Sequence, residues 1–231
     1  MAELYRKGPA IPADAAYEVR RGGAPREGLL DGEAGPWDGA TAITWGPAEY
    51  ETRFRAVWTD EALAIRFDAR DDEPWNTWHD RDDPLWEEEV VELFLDVTGR
   101  GVDYAEVEIS PANVVCDLHV ATPWPDLRSE RAWDWEGLET RVRRGQAGGG
   151  GRGDWSAIAW LPWSGLESLY PGARQRVPPQ TGDRWRFNVF RIKRPGGPQD
   201  PERGAIYAAW SAPPEGPSFH APAAFRAFVF A

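Results

Sequence analysis

The chain has 231 residues, 38 acidic and 26 basic, and a formal net charge of −12. That length suits one large domain able to bury roughly 70% of its unfolded surface, so no disulfide or metal staple is needed. An acidic chain without a basic stripe is a poor partner for nucleic acid, no run of about 18 apolar residues is present to span a membrane, and the lone Cys116 excludes an internal disulfide and Cys-based zinc spacings.

The first 35 residues are rich in Pro and Gly and are expected to wrap the domain as edge strand and loop. From Thr52 onward, alternation of period two dominates. Phe54, Ala56 and Trp58 fall on one face, with Arg53 and Arg55 on the other. After the short link Thr59-Asp60-Glu61, Leu63, Ile65 and Phe67 alternate with Ala64, Arg66 and Asp68. Val91, Leu93 and Leu95 alternate with Val90, Glu92 and Phe94. The loop Thr98-Gly99-Arg100-Gly101 turns this strand into the next, where Ala105, Val107 and Ile109 alternate with Tyr104, Glu106 and Glu108. Val114, Cys116, Leu118 and Val120 then alternate with Val115, Asp117 and His119. Later strands are expected at Leu138 to Arg143, Trp155 to Leu161, Trp185 to Ile192, Ile206 to Trp210, and Phe228 to Phe230. Gly145 to Gly153 reads as a mobile hairpin tip, Pro195 to Pro201 as a polar loop, and Trp163 to Tyr170 as one or two helical turns. No repeat or composition break divides the chain. The expectation is an all-β, antiparallel β-sandwich or jelly roll with one or two short helices, spanning 1–231 as a single domain.

The stretch Asp71 to Ser110 carries the chemistry. A loop holding Trp75, Trp78, His79 and Trp86 leads into the strand with Glu92, and the following strand carries Glu106 and Glu108. If the apolar sets of both strands face the core, the carboxylates share the other face, about 5 Å apart across the ladder. Asp117 and His119 would extend that row. Two readings are open. The carboxylates are solvated positions on an exposed sheet face, or they accept hydrogen bonds from sugar hydroxyls while an indole plane stacks on the sugar's C–H face. Trp86, six residues before Glu92, favours the second reading for that pair. Of the 14 Trp, those inside strands, such as Trp58, Trp155 and Trp185, are expected in the core. Trp75, Trp78 and Trp124 lie in loops, where some are expected to line a site.

The segment PLWEEEVVELFLD (Pro84 to Asp96), preceded by ALAIRFDARDDEP and followed by DYAEVEISP, resembles the central signature of family 9 carbohydrate-binding modules and their DOMON-like relatives. LDGEAGPW (Leu30 to Trp37), WSAIAWLPW (Trp155 to Trp163), GDRWRFNVFR (Gly182 to Arg191) and AAWSAPPEGPSFHAPAAFRAFVF (Ala208 to Phe230) extend the resemblance over nearly the whole chain, which is most similar to the free-standing branch. The resemblance implies non-catalytic binding of a saccharide, in the founding modules at the reducing ends of β-glucans and xylans. It places Trp86 at the first stacking Trp and Glu92 at the main hydrogen-bonding Glu. Glu108 stands where the founding modules carry a binding Arg. The second Trp has no clear counterpart: Trp210 comes early, and Phe219 or His220 stands nearby. The expected ligand-binding set is Trp86, Glu92, Glu108, Glu106, Trp210, His220, Trp75, Trp78 and Asn188, with Arg191 beside Asn188 serving the site or tying loops.

Three alternatives accompany this reading. Glu92 and Glu108 have the adjacent-strand spacing of a glycosidase carboxylate pair. The resemblance also implies structural calcium, for which Asp71, Asp72, Glu73, Asp80, Asp82 and Asp83 supply carboxylates without EF-hand spacing; a solvated acidic loop, with no cofactor, is the preferred reading. DOMON-like relatives that bind haem suggest His79, His119 or His220 as axial ligands, since Met1 is terminal and only Lys7 and Lys193 are present. The opening MAELYRKGPA has no apolar signal core, which points to the cytoplasm, with export after trimming as the alternative.

Overall fold

The computed structural model describes residues 11–32, 34–145, 153–170, 177–213 and 218–231. In chain order its strands are β1 (Ala16–Arg21), β2 (Ala42–Trp45), β3 (Thr52–Trp58), β4 (Ala62–Ala69), β5 (Val90–Asp96), β6 (Tyr104–Ile109), β7 (Val115–Thr122), β8 (Arg128–Glu130), β9 (Glu139–Arg144), β10 (Trp155–Pro162), β11 (Arg184–Lys193), β12 (Ile206–Ala209) and β13 (Arg226–Phe230). Short helices α1 (Arg26–Leu30), α2 (Ala34–Trp37) and α3 (Trp163–Glu167) accompany them, with 3-10 turns at Ala48–Tyr50, Leu85–Glu87 and Pro222–Ala224.

The strands make two layers. One runs β8-β7-β6-β5-β11-β13-β1, the other β1-β3-β4-β10-β9, with β12 added to β11 and β2 to β3. β1 belongs to both: Ala16 to Val19 pair with β13, and Arg20 and Arg21 pair with β3, parallel in each case. The N-terminal segment is therefore an interior strand that joins the layers and not the edge strand expected from its composition. Its local alternation explains the change. Tyr17 and Val19 are buried between exposed neighbours, and the Tyr17 hydroxyl donates to Thr41 O and accepts from Ala56 N.

The alternating sets of β3, β4, β5 and β6 point between the layers as expected, where they meet Trp155, Ala157, Phe187, Val189, Phe228 and Phe230 in one core. Each buried aliphatic or aromatic side chain contributes on the order of 1.5–3 kcal/mol. Both layers also carry apolar clusters on their outer faces. Leu29, Leu30 and Trp37 of the α1–α2 segment cover Ala64, Ile158 and Trp160. Val90, Phe94, Tyr104, Cys116, Leu118, Phe190 and Ile192 form the other cluster, on the outer side of the β5-β6-β7-β11 sheet.

β7 departs from its expected orientation. Glu106 pairs with Leu118 and Glu108 with Cys116, so the apolar set of β7 lies on the carboxylate side. Asp117 and His119 point the other way and do not extend the carboxylate row. Asp117 is buried and accepts from Trp135 N and Arg81, and His119 sits between Asp103 and Glu130. In a sheet apolar on both faces, alternation names two faces but not which one a strand turns inward; ladder register decides that. The tip expected at Gly145 to Gly153 joins β9 to β10, and its residues 146–152 lie outside the described residues.

Candidate functional site

The outer apolar face of the β5-β6-β7-β11 sheet is the floor of a cavity of about 760 Å³, a size typical of small-ligand pockets. β5 contributes Glu92 and Phe94, β6 contributes Glu106 and Glu108, and β7 contributes Leu118. Ile192 and Arg194 at the end of β11, Tyr207 of β12, and Phe219 and His220 of the C-terminal loop form one side. The loop before β5 forms the other with Trp75, Thr77, Trp78, Trp86 and Glu88.

Ladder register brings the three carboxyl groups together. Glu92 is the direct partner of Glu108, and Glu106 stands opposite Phe94. One oxygen from each of the three lies within 4.8 Å of the other two. All three residues are 2% exposed or less. Glu92 Oε1 and Glu106 Oε2 meet no donor from the protein, while Glu108 has the Trp86 backbone N–H and the Glu106 carboxyl beside it. Burial, and after it the nearby Glu92 charge, pushes Glu106 up to about 8. Burial, then the Glu108 charge, holds Glu92 well above the usual carboxylate range, and burial, then Glu106, does the same to Glu108. Like charges this close in a low-dielectric site do not all ionise, and the trio titrates as a unit.

His220 closes one end. Its Nδ1 lies 2.9 Å from the Tyr104 hydroxyl and 3.9 Å from Glu106 Oε2, and its ring stacks on Phe94 at 5.0 Å between centroids. Burial lowers its pKa to about 4, so the imidazole is neutral near pH 7. Phe219 stacks on Phe190 at 4.3 Å.

The tryptophan loop is built by its own polar side chains. Glu88 accepts from Asn76 Nδ2 at 3.0 Å and from Thr77 N at 2.6 Å. Trp75 Nε1 donates to Arg194 O at 2.8 Å, and Arg194 in turn donates to Trp86 O at 3.0 Å. Trp86 rides on the 3-10 turn Leu85–Glu87 and is half-buried. The exposed Arg131 places its guanidinium over the Trp86 ring, 4.7 Å from the centroid. The root of the loop is pinned by a buried charge network. Asp71 takes Arg191 Nη2 at 2.5 Å and Lys193 Nζ at 2.6 Å, and Lys193 also meets Glu89 at 2.8 Å. Arg191 donates to Tyr50 O and Arg70 O as well, so it ties loops together and does not reach the cavity. Burial pushes Glu89 up to about 7.

Several carboxylates that a calcium ion would draw on in the acidic loop are engaged within the protein. Asp71 is already neutralised by Arg191 and Lys193. Asp82 draws together with Asp117 and Asp134, but Arg81 sits among them, bonded to Asp117 and, at 2.9 Å, to Asp134. Asp83 caps the backbone N–H groups of His79 and Asp80. Protein cations and N–H groups thus take up Asp71, Asp83, Asp117 and Asp134.

No protein-family model matches the sequence, and comparison with curated proteins gives no match. Solved structures do match in shape. A candidate carbohydrate-binding protein from Bacteroides uniformis superposes with a TM-score of 0.66 at 16% identity, over 94% of this chain and 99% of the other. A family 9 carbohydrate-binding module from Caldicellulosiruptor kristjanssonii in complex with cellotriose gives 0.63 at 13% identity, over 94% and 93%. A family 9 module from the same organism in complex with glucose gives 0.61 at 14%, over 94% and 96%. The fold is that of family 9 carbohydrate-binding modules. Identities this low carry the architecture and not the side chains, so what the cavity takes rests on its own residues.

Of the residues singled out in the sequence, Trp75, Trp78, Trp86, Glu92, Glu106, Glu108 and His220 converge on this cavity. Trp210 and Asn188 do not. Trp210 is buried in the inter-layer core against Phe187, at 5.1 Å between ring centroids. Asn188 is sealed by the backbone of Ser211, donating to its O at 2.8 Å and accepting from its N at 3.1 Å. Trp124 is 48% exposed and outside the lining. Phe94, Tyr207, Arg194 and Glu88 line the cavity without having been singled out. Phe94 and Tyr104 share strand parity with the carboxylates, a legible sign that this face is covered and not a solvated surface.

Proposed function

We propose that the chain is a non-catalytic saccharide-binding module whose ligand docks in the cavity between Trp86 and the Glu92–Glu106–Glu108 wall. The observation that carries this reading is the pairing of indole faces with buried carboxyl oxygens that have no protein donor. A sugar brings what each lacks: a C–H face for the ring and hydroxyl donors for the oxygens. The solved modules of this fold in complex with cellotriose and glucose support the same reading, and the ligand is a glycan end or small saccharide. A glycosidase instead places an acid and a second carboxylate on either side of the scissile bond. Here the carboxyl groups crowd one wall and repel one another's ionisation. Calorimetric titration with glucose, cellotriose and xylo-oligosaccharides tests the reading, with the Trp86→Ala variant beside the wild type. The expected loss on removing the ring is at least about tenfold in affinity, or about 1.4 kcal/mol, with the melting temperature little changed. An unaltered affinity would show that the ligand does not stack there.

A further inference from the structure

We infer that the saccharide this cavity selects is a cationic one, an amino sugar whose protonated amine sits on the Glu92–Glu106–Glu108 wall. The inference rests on the saccharide reading of the site and adds the chemical class of the ligand.

Donor and acceptor chemistry decides the class. The wall presents carboxyl oxygens with no protein donor on Glu92 and Glu106, in residues almost wholly buried, with Glu108 beside them. An alkylammonium group supplies three N–H donors and needs no acceptor. Three carboxyl groups, each with an oxygen within 4.8 Å of the other two, match that donor set. A hydroxyl supplies one donor and leaves the wall protonated, whereas an ammonium ion favours the ionised form and displaces the wall's protons as it binds. Among the described residues, no Lys or Arg forms an ion pair with the wall. The nearby His220 is held neutral by burial, and Arg194 is engaged by Glu202 and by Trp86 O. Arg131 lays its guanidinium on the Trp86 ring and draws the Glu108 pKa down. The site therefore already attracts a cation to its rim, and aromatic faces beside carboxylates are a recurrent setting for ammonium recognition. A net charge of −12 adds long-range attraction for a polycationic glycan.

Three β-1,4-linked trisaccharides isolate the effect because they differ only at C2: cellotriose with hydroxyls, the glucosamine trimer with ammonium groups, and the N-acetylglucosamine trimer with neutral amides. The protein is titrated with each by calorimetry at about pH 6, where the amines are protonated, in the presence of a chelator. The glucosamine trimer is expected to bind at least tenfold tighter than the other two. Glu92→Gln and Glu108→Gln are expected to bring that ratio towards one, in variants whose circular dichroism and melting show a folded chain. Should either variant fail to fold, the salt dependence of the wild-type ratio replaces it, and the preference must shrink as ionic strength rises. Cellotriose binding as tightly as the glucosamine trimer overturns the inference and leaves the saccharide reading standing. Binding of the amine trimer that appears only when calcium replaces the chelator overturns it too, since a metal then occupies the wall. Binding of none of the three overturns both.

Discussion

Glu92 and Glu108 face each other directly across the β5–β6 ladder, and both side chains are almost wholly shielded from water. Stability alone gives no reason to set two acids opposite each other, and Glu106 completes the same buried wall. The pair is the feature on which ligand chemistry and pH dependence both turn.

Glu106 predicts a specific pH profile. Its folded pKa is raised from 4.5 to about 8, so its contribution to stability is fully present below pH 4.5 and is lost as pH rises towards 8. His220 acts in the opposite sense: its folded pKa of about 4 lies below the 6.5 of a free imidazole, so its contribution holds above 6.5 and is lost as pH falls towards 4. Glu106→Gln removes the first effect, together with the rise that Glu106 imposes on Glu108, and leaves burial to act on His220. Its melting temperature is expected to match the wild type near pH 4.5 and to exceed it by at least roughly 4 °C at pH 8. Thermal melts across that range check it, and parallel curves would show that Glu106 ionises freely in the folded protein.

Arg131 covers the ring on which a sugar must stack. A cation–π contact at an exposed position contributes about 0.5–1 kcal/mol, and a neutral ligand must displace it. Arg131→Ala is expected to tighten cellotriose binding about two- to fivefold, read by calorimetry.

The Asp71–Lys193–Glu89 network predicts a large stability effect. Lys193→Met leaves Glu89 without its cation in a buried site and is expected to cost about 3–5 kcal/mol in urea unfolding. Adding Glu89→Gln to that variant removes the stranded charge and is expected to recover part of the loss, a coupling that a double-mutant cycle measures.

Trp210 separates core from site. Trp210→Leu opens a void beside Phe187 and is expected to cost roughly 2–4 kcal/mol. Saccharide affinity is expected to stay within about twofold, because the indole lies in the inter-layer core. A loss of affinity without a loss of stability would return Trp210 to the site.

Much of the fold and part of the site are legible in the residues alone. Alternation located β3 to β7 and β9 to β13 close to their observed bounds, because a strand buried on one face must repeat every second residue. Trp86, Glu92 and Glu108 could be picked out together, since one short segment carries a loop aromatic and strand carboxylates in fixed order. The tertiary structure decided the rest. Only ladder register turned Cys116 and Leu118 towards the carboxylates and Asp117 away from them. Only the pairing of β1 with both β13 and β3 made an unremarkable Pro/Gly-rich leader into the strand that joins the layers. Above all, whether Glu92, Glu106 and Glu108 were washed by solvent or sealed under aromatic side chains depended on segments far away in the chain: Trp78 and Trp86 on one side, Tyr207, Phe219 and His220 on the other. Local periodicity records which residues share a face, while the cover over that face, and with it the protonation of its acids, is a property of contacts between distant parts of the chain.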